Sequence, residues 1–114
     1  MKIPKNARVL SVCNSGEMRS QALAKILGEY RYTNVSTSGV SLMLTEGGQE
    51  LEKLINADYV IALEKRVEDT LNSICLLNDI QYTAKLITLD VKSTYSGFEN
   101  DIRKQIMPYL QIDP

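Results

Sequence analysis

The sequence predicts an α/β fold: a four-stranded parallel sheet with helices on both faces. Two observations carry this. Short runs rich in branched apolar residues alternate along the chain with longer segments of helical apolar period. Pro4, Pro108 and Pro114 all lie near the ends, so nothing punctuates a boundary and one domain is expected over 1–114. A strand–helix order repeated in this way calls for parallel strands joined by crossover helices.

Each element has its own signal. Arg8-Val-Leu-Ser-Val12 reads as a buried first strand. Arg19 to Tyr30 carries Leu23, Ile26, Leu27 and Tyr30 at helical spacing. Val35 to Ser38 is a second short strand. Gln49 to Ala57 puts Leu51, Leu54 and Ile55 on one helical face. Tyr59-Val-Ile-Ala-Leu63 is the third strand, and Val67, Leu71, Ile74 and Cys75 share a face of the helix after it. Lys85-Leu-Ile-Thr-Leu89 is the fourth strand. Phe98, Ile102 and Ile106 stripe a last helix that Pro108 ends or kinks.

Composition excludes several function classes. The chain has no histidine, which removes Ser-His-Asp and Cys-His catalysis and any imidazole metal site. Cys13 and Cys75 are too few for a disulfide framework or a four-cysteine metal site. A net charge of −1 leaves no electrostatic footprint for nucleic acid or an anionic membrane. The start, MKIPKNARVL, lacks the apolar core of a signal peptide, and the longest apolar run, Tyr59 to Leu63, is far short of a membrane span. A reduced, cytoplasmic protein is expected.

In a parallel sheet the site lies outside the carboxyl ends of the strands. Residues just after strands share that rim, and this singles out Cys13-Asn14-Ser15-Gly16-Glu17-Met18-Arg19-Ser20 between the first strand and first helix. A short strand-to-helix loop can turn its N–H groups inward as an anion nest, and the helix N-terminus adds positive potential. Arg19 can clasp two phosphate oxygens through its planar fork. The same field favours the Cys13 thiolate as nucleophile. Ser20 can donate to that sulfur and stabilise it as a leaving group. The alternative is bland: Cys13 as a small core residue, Ser20 as a helix cap, Arg19 on the surface.

On these residues the chain resembles the low-molecular-weight protein tyrosine phosphatases, and most of all their short bacterial branch. The shared features are the early Cys-x₅-Arg-Ser loop, Ser36-Thr37-Ser38-Gly39 at the second strand, and Ala57-Asp58-Tyr59-Val60-Ile61-Ala62-Leu63-Glu64-Lys65-Arg66 at the third. The resemblance implies flavodoxin-like winding and a two-step reaction without metal or cofactor. In it Cys13 forms a phosphocysteine, Arg19 holds the equatorial oxygens, and an aspartate serves as general acid. Implied substrates are a phosphorylated protein or a small phosphomonoester. Backbone amides of Asn14, Ser15, Gly16, Glu17, Met18 and Arg19 would complete the cradle.

The chain departs from the family pattern both in this loop and after the fourth strand. Ser15 and Gly16 stand where the family has Gly-Asn, and Met18 replaces a second cysteine. Glu17 puts a negative charge beside the anion site and is expected to point outward to the rim. The family's Asp-Pro-Tyr after the fourth strand is absent. Asp90, directly after that strand, is the candidate acid; an alignment on Tyr95 would instead put Ser93 or Thr94 there. A solvent-exposed turn carboxylate is the competing reading of Asp90.

Three further features bear on function. Cys75 could act as a resolving thiol, as in arsenate reductases of this fold, but it ends a helix and should lie on the rim away from Cys13. Val40 to Gly48 is expected to be an apolar loop, either bordering the site as a wall or folded back on the core, and Tyr95 a second wall residue. Glu64-Lys65-Arg66 faces the active rim and reads as a solvated start to the third helix. A phosphate-binding module with little turnover and a sugar-phosphotransferase component are the rival functions; Arg19-Ser20 counts against the latter.

Overall fold

The computed structural model describes residues 1–92 and 96–112. Ser93, Thr94 and Tyr95 lie outside the described residues, and so do the alternative acid and the Tyr95 wall.

The elements follow the alternating order with one addition. Strand β1 spans Val9–Cys13, helix α1 Met18–Glu29, and strand β2 Val35–Gly39. Helices α2, Val40–Glu46, and α3, Gly48–Asn56, precede strand β3, Tyr59–Ala62. Helix α4, Lys65–Leu77, strand β4, Lys85–Thr88, and helix α5, Phe98–Ile106, complete the alternation. A 3₁₀ turn over Met107–Tyr109 ends α5 at Pro108, as that proline requires. Element ends differ from the expected ones by a residue or so, the usual scatter of frayed termini.

All strands are parallel, in the order β2-β1-β3-β4. This order is consistent with flavodoxin-like winding. The central strands β1 and β3 are buried throughout, because helices cover both faces. Leu23, Ile26 and Leu27 of α1 pack with Ile102 and Ile106 of α5 on one face. Met43, Leu54, Val67, Leu71, Ile74 and Cys75 cover the other. Truncating one of these fully buried leucines or isoleucines to alanine costs about 2–5 kcal/mol.

Helices α1 and α4 stop in the same way. Arg31 and Asp79 take left-handed φ of 70° and 53°. The next N–H turns back into the helix, Tyr32 to Leu27 O at 3.1 Å and Ile80 to Cys75 O at 2.9 Å. This closes the last turn and satisfies its orphan carbonyls. The Tyr32 hydroxyl donates to Ile3 O and accepts from Gln111 N–H, so the segments around Ile3 and Gln111 are both tied to the residue just after α1.

Two expectations are corrected. Val40–Glu46 is helix α2 rather than an apolar loop. Val40 and Met43 dock on the sheet, and that burial stabilises a helix too short to stand alone. The inward face of α3 is also rotated. Leu54 is buried, but Ile55 is exposed and Glu50 takes an inward position. The buried Ser38 hydroxyl donates to Glu50 Oε1 at 2.7 Å, and Lys53 pairs with the same carboxylate. A satisfied carboxylate can be buried where an unpaired one cannot.

Candidate functional site

The strand order places the site. From β1 the chain leaves to one side for β2 through α1. It reaches β3 on the other side of β1 through α2 and α3 on the opposite face. The segments after β1 and β3 therefore diverge at the carboxyl rim and open a crevice between them. Cys13 ends β1 at this crevice, and Glu64 follows β3.

The loop after Cys13 bends tightly and is clamped to the first turn of α2. Gly16 has φ of 81°, a left-handed value that glycine adopts without strain. Asn14 O accepts from both the N–H and the hydroxyl of Ser41, each at 3.0 Å. Gly16 O accepts from Gln21 Nε2 at 3.3 Å. A trans peptide points its N–H opposite to its carbonyl. With the Asn14 carbonyl tied to Ser41 and the Gly16 carbonyl to Gln21, the N–H groups of Ser15 and Glu17 turn away from those partners. Gly16 N–H points at Cys13 Sγ, 3.2 Å away.

The sulfur has a second partner. Ser20 Oγ lies 3.2 Å from Cys13 Sγ, and Ser20 is fully buried. Its own backbone is held by Ser11, whose hydroxyl donates to Ser20 O at 3.0 Å. Ser20 is therefore in the first turn of α1 facing the thiol, not a helix cap. The cap position falls to Glu17, which makes no side-chain cap bond, so the first N–H groups of α1 keep their capacity for an anion. Glu17 is exposed, as expected, and so are Met18, Asn14 and Ser15.

Arg19 is 6% exposed rather than a surface helix residue. Its Nη1 donates to Glu64 Oε1 and to Val91 O, both at 2.7 Å. The guanidinium thus ties α1 to the start of α4 and to the segment after β4. Glu64 is not the solvated helix start that the sequence suggests; it is the carboxylate partner of Arg19, with its side chain 16% exposed. The rim rule carried the signal, since Glu64 follows β3 as Cys13 ends β1. Lys65 pairs with Glu68 and Asp69 at the surface, and Arg66 is exposed.

Asp90 reaches the rim by backbone but not by a buried side chain. Gln105 brackets it, accepting from Asp90 N–H at 2.6 Å and donating to Asp90 O at 3.0 Å. Its carboxylate is 76% exposed and pairs with Lys92 at 3.1 Å. The next residue, Val91, is the one whose carbonyl meets Arg19.

Cys75 belongs to the other face of the sheet. It packs with Leu71 and Ile74, while Cys13 packs with the α1 and α5 side. Both cysteines are free, and burial pushes the Cys75 thiol up from its ordinary value. The sheet itself separates the two sulfurs.

An open cleft of about 370 Å³ lies at the opposite rim, between the amino ends of β1 and β2 and helix α3. Its cations are already paired, Arg8 with Asp58 and Lys53 with Glu50. It gathers no nucleophile, so its size does not make it the reactive site. Among the described residues no cluster of Cys, Asp or Glu is arranged to hold a metal ion. None of the helices among them is long and apolar enough to cross a membrane. Comparison with known proteins returns no matching family model, curated protein or solved structure.

Proposed function

We propose that the chain is a cysteine-dependent phosphatase of the low-molecular-weight type, acting on phosphotyrosine or a similar phosphomonoester in a reducing cytoplasm. One observation carries the reading. Cys13 Sγ sits at the carboxyl end of β1 with a loop N–H and the Ser20 hydroxyl each 3.2 Å away, and the Arg19 guanidinium serves the same rim. That set supplies a nucleophile, a leaving-group stabiliser and an anion clamp without histidine or metal.

The first step forms a P–S bond as the Cys13 thiolate attacks phosphorus in line, and the P–O ester bond breaks. The departing oxygen takes a proton. Arg19 and the loop N–H groups bear the charge on the equatorial oxygens, the kind of fixed dipole that contributes most to such transition states. In the second step water attacks phosphorus, the P–S bond breaks, and phosphate leaves. Ser20 then donates to the sulfur as it regains its charge. Asp90 is the candidate acid. Its carboxylate must first leave Lys92, because the pair holds it at the surface.

That surface pair also favours a second reading: a phosphate-binding module with little turnover. General acid catalysis is worth about 10²–10⁴-fold, so an acid that stays on Lys92 leaves a slow enzyme or a binder. Arsenate reduction through Cys75 has no support, since that thiol is on the far face of the sheet.

Hydrolysis of p-nitrophenyl phosphate by wild type, Cys13→Ser and Arg19→Ala decides between them. This substrate has a good leaving group and needs little from the acid. Activity lost in both variants is the expected result. A folded Arg19→Ala protein of near-normal activity overturns the mechanism. Vanadate binding by an inactive wild type establishes the binding module instead.

A further inference from the structure

We propose that Glu64 is the positioning residue of Arg19: it holds the guanidinium by Nη1 alone and so presents the Nε–Nη2 edge to the bound anion. The inference rests on the reading of the Cys13 loop as an oxyanion site.

The bond pattern carries it. A guanidinium has five N–H donors in a rigid fork. Both hydrogens of Nη1 are used, one by Glu64 Oε1 and one by Val91 O, each at 2.7 Å. Among the described residues nothing bonds Nε or Nη2. Those two nitrogens form the side-on edge of the fork, the edge that matches two oxygens of a carboxylate or phosphate. A carboxylate acting as a stand-in for substrate would take that edge. Glu64 takes the nitrogen that leaves it open.

Glu64 is also built to stay there. It is the cap residue of α4, with extended φ and ψ of −159° and 166°. Its carbonyl accepts from Val67 N–H at 3.0 Å and Glu68 N–H at 3.2 Å, which fixes its backbone in the first turn. A short acidic cap residue such as aspartate turns its side chain onto the free N–H groups of its own helix. Glu64 makes no such bond. Its carboxylate crosses the crevice to α1 instead. The Arg19 guanidinium is thereby fixed by two other chain segments, at Glu64 and Val91, before any ligand arrives, so no ordering of a long side chain is left for the binding step.

Two kinds of measurement test this, on wild type, Glu64→Ala, Glu64→Asp and Glu64→Gln. One is vanadate affinity together with kcat and KM for p-nitrophenyl phosphate. The other is the ¹⁵N-resolved Nε–H resonance of Arg19, which needs no turnover. Glutamine keeps an acceptor at the same reach, whereas alanine removes it and aspartate shortens it. In Glu64→Ala the expected loss is roughly 10²-fold in kcat/KM, with weaker vanadate binding and a broadened Arg19 resonance. Glu64→Gln restores most of each. Should the alanine variant fail to fold, Glu64→Asp carries the same expectation. A folded Ala or Asp variant that binds vanadate as tightly as wild type, or more tightly, overturns the proposal and makes Glu64 a plug or a bystander. So does an Arg19 resonance unchanged by the substitutions. A wild type that neither hydrolyses nor binds vanadate defeats the oxyanion-site reading alone, because the resonance still reports whether Glu64 holds Arg19.

Discussion

Gly39 and Gly16 are packed backbone to backbone. A Cβ placed on Gly39 would stand 2.4 Å from Gly16 N and 2.3 Å from the Ser15 carbonyl carbon. The end of β2 is thus the floor on which the Cys13 loop rests, and only a hydrogen fits between them.

Gly39→Ala is expected to push the loop off this floor. The blocking atoms are backbone and cannot swing aside, so the cost is about 1–3 kcal/mol, as for other overpacked sites. Vanadate affinity should fall along with stability, since the Ser15 and Glu17 N–H groups move with the loop. Urea unfolding and vanadate titration check both. Unchanged affinity would separate the loop's backbone from anion binding.

Ser20→Ala removes the hydroxyl 3.2 Å from Cys13 Sγ. A hydrogen bond to a charged group contributes about 1.5–3 kcal/mol, which is roughly 10- to 100-fold in rate. The loss should fall on breakdown of the phosphocysteine, where sulfur is the leaving group. Rapid-quench kinetics on a good substrate should then show a burst and an accumulating phosphoenzyme. A variant with wild-type turnover would reduce Ser20 to packing.

Ser38→Ala should sensitise the fold to acid. The Ser38 hydroxyl is the main influence holding Glu50 below the usual carboxylate range, followed by Lys53, against the upward push of burial. A depressed folded value means that the contribution is complete above the unfolded-chain value and is lost as pH falls through the lower folded one. Removing the hydroxyl raises that folded value. The acid limb of the stability curve should move to higher pH, with about 1 kcal/mol lost at neutral pH. Urea midpoints measured from neutral to acid conditions check the shift. An unmoved acid limb would mean that Lys53 alone sets the Glu50 charge.

Cys75→Ala should leave hydrolysis intact. Cys75 is 7% exposed and packs among apolar side chains on the face of the sheet away from Cys13. The substitution opens a small hole beside Leu71 and Ile74, so a modest stability loss is expected without a change in kcat or KM. A large fall in kcat with an intact fold would return Cys75 to the mechanism.

Much of this site is legible along the chain. The alternation of strand and helix periods is local, so it specifies element order and, through the crossover rule, parallel strands. Parallel strands share one carboxyl rim, and that is enough to bring forward Cys13, Arg19 and Ser20. The remoteness of Cys75 follows from the same reasoning, since the end of a helix lies away from that rim. The helical state of Val40–Glu46 does not, because a helix this short exists only when Val40 and Met43 have a sheet to dock on.

What the tertiary structure decided are the pairings between residues far apart in sequence. Arg19 and Glu64 are separated by 45 positions, and Arg19 and Val91 by 72. Glu50 shares the inward face with Leu54, four residues on, although it is charged, because Ser38 meets it there with a hydroxyl. Asp90 follows a strand, as a rim residue should, yet its carboxylate goes to the neighbouring Lys92 while Gln105 holds its backbone. Periodicity tells which side of an element is apolar. It carries no information about which charged group on another element lies within reach, and at a site made of charges that choice sets the chemistry.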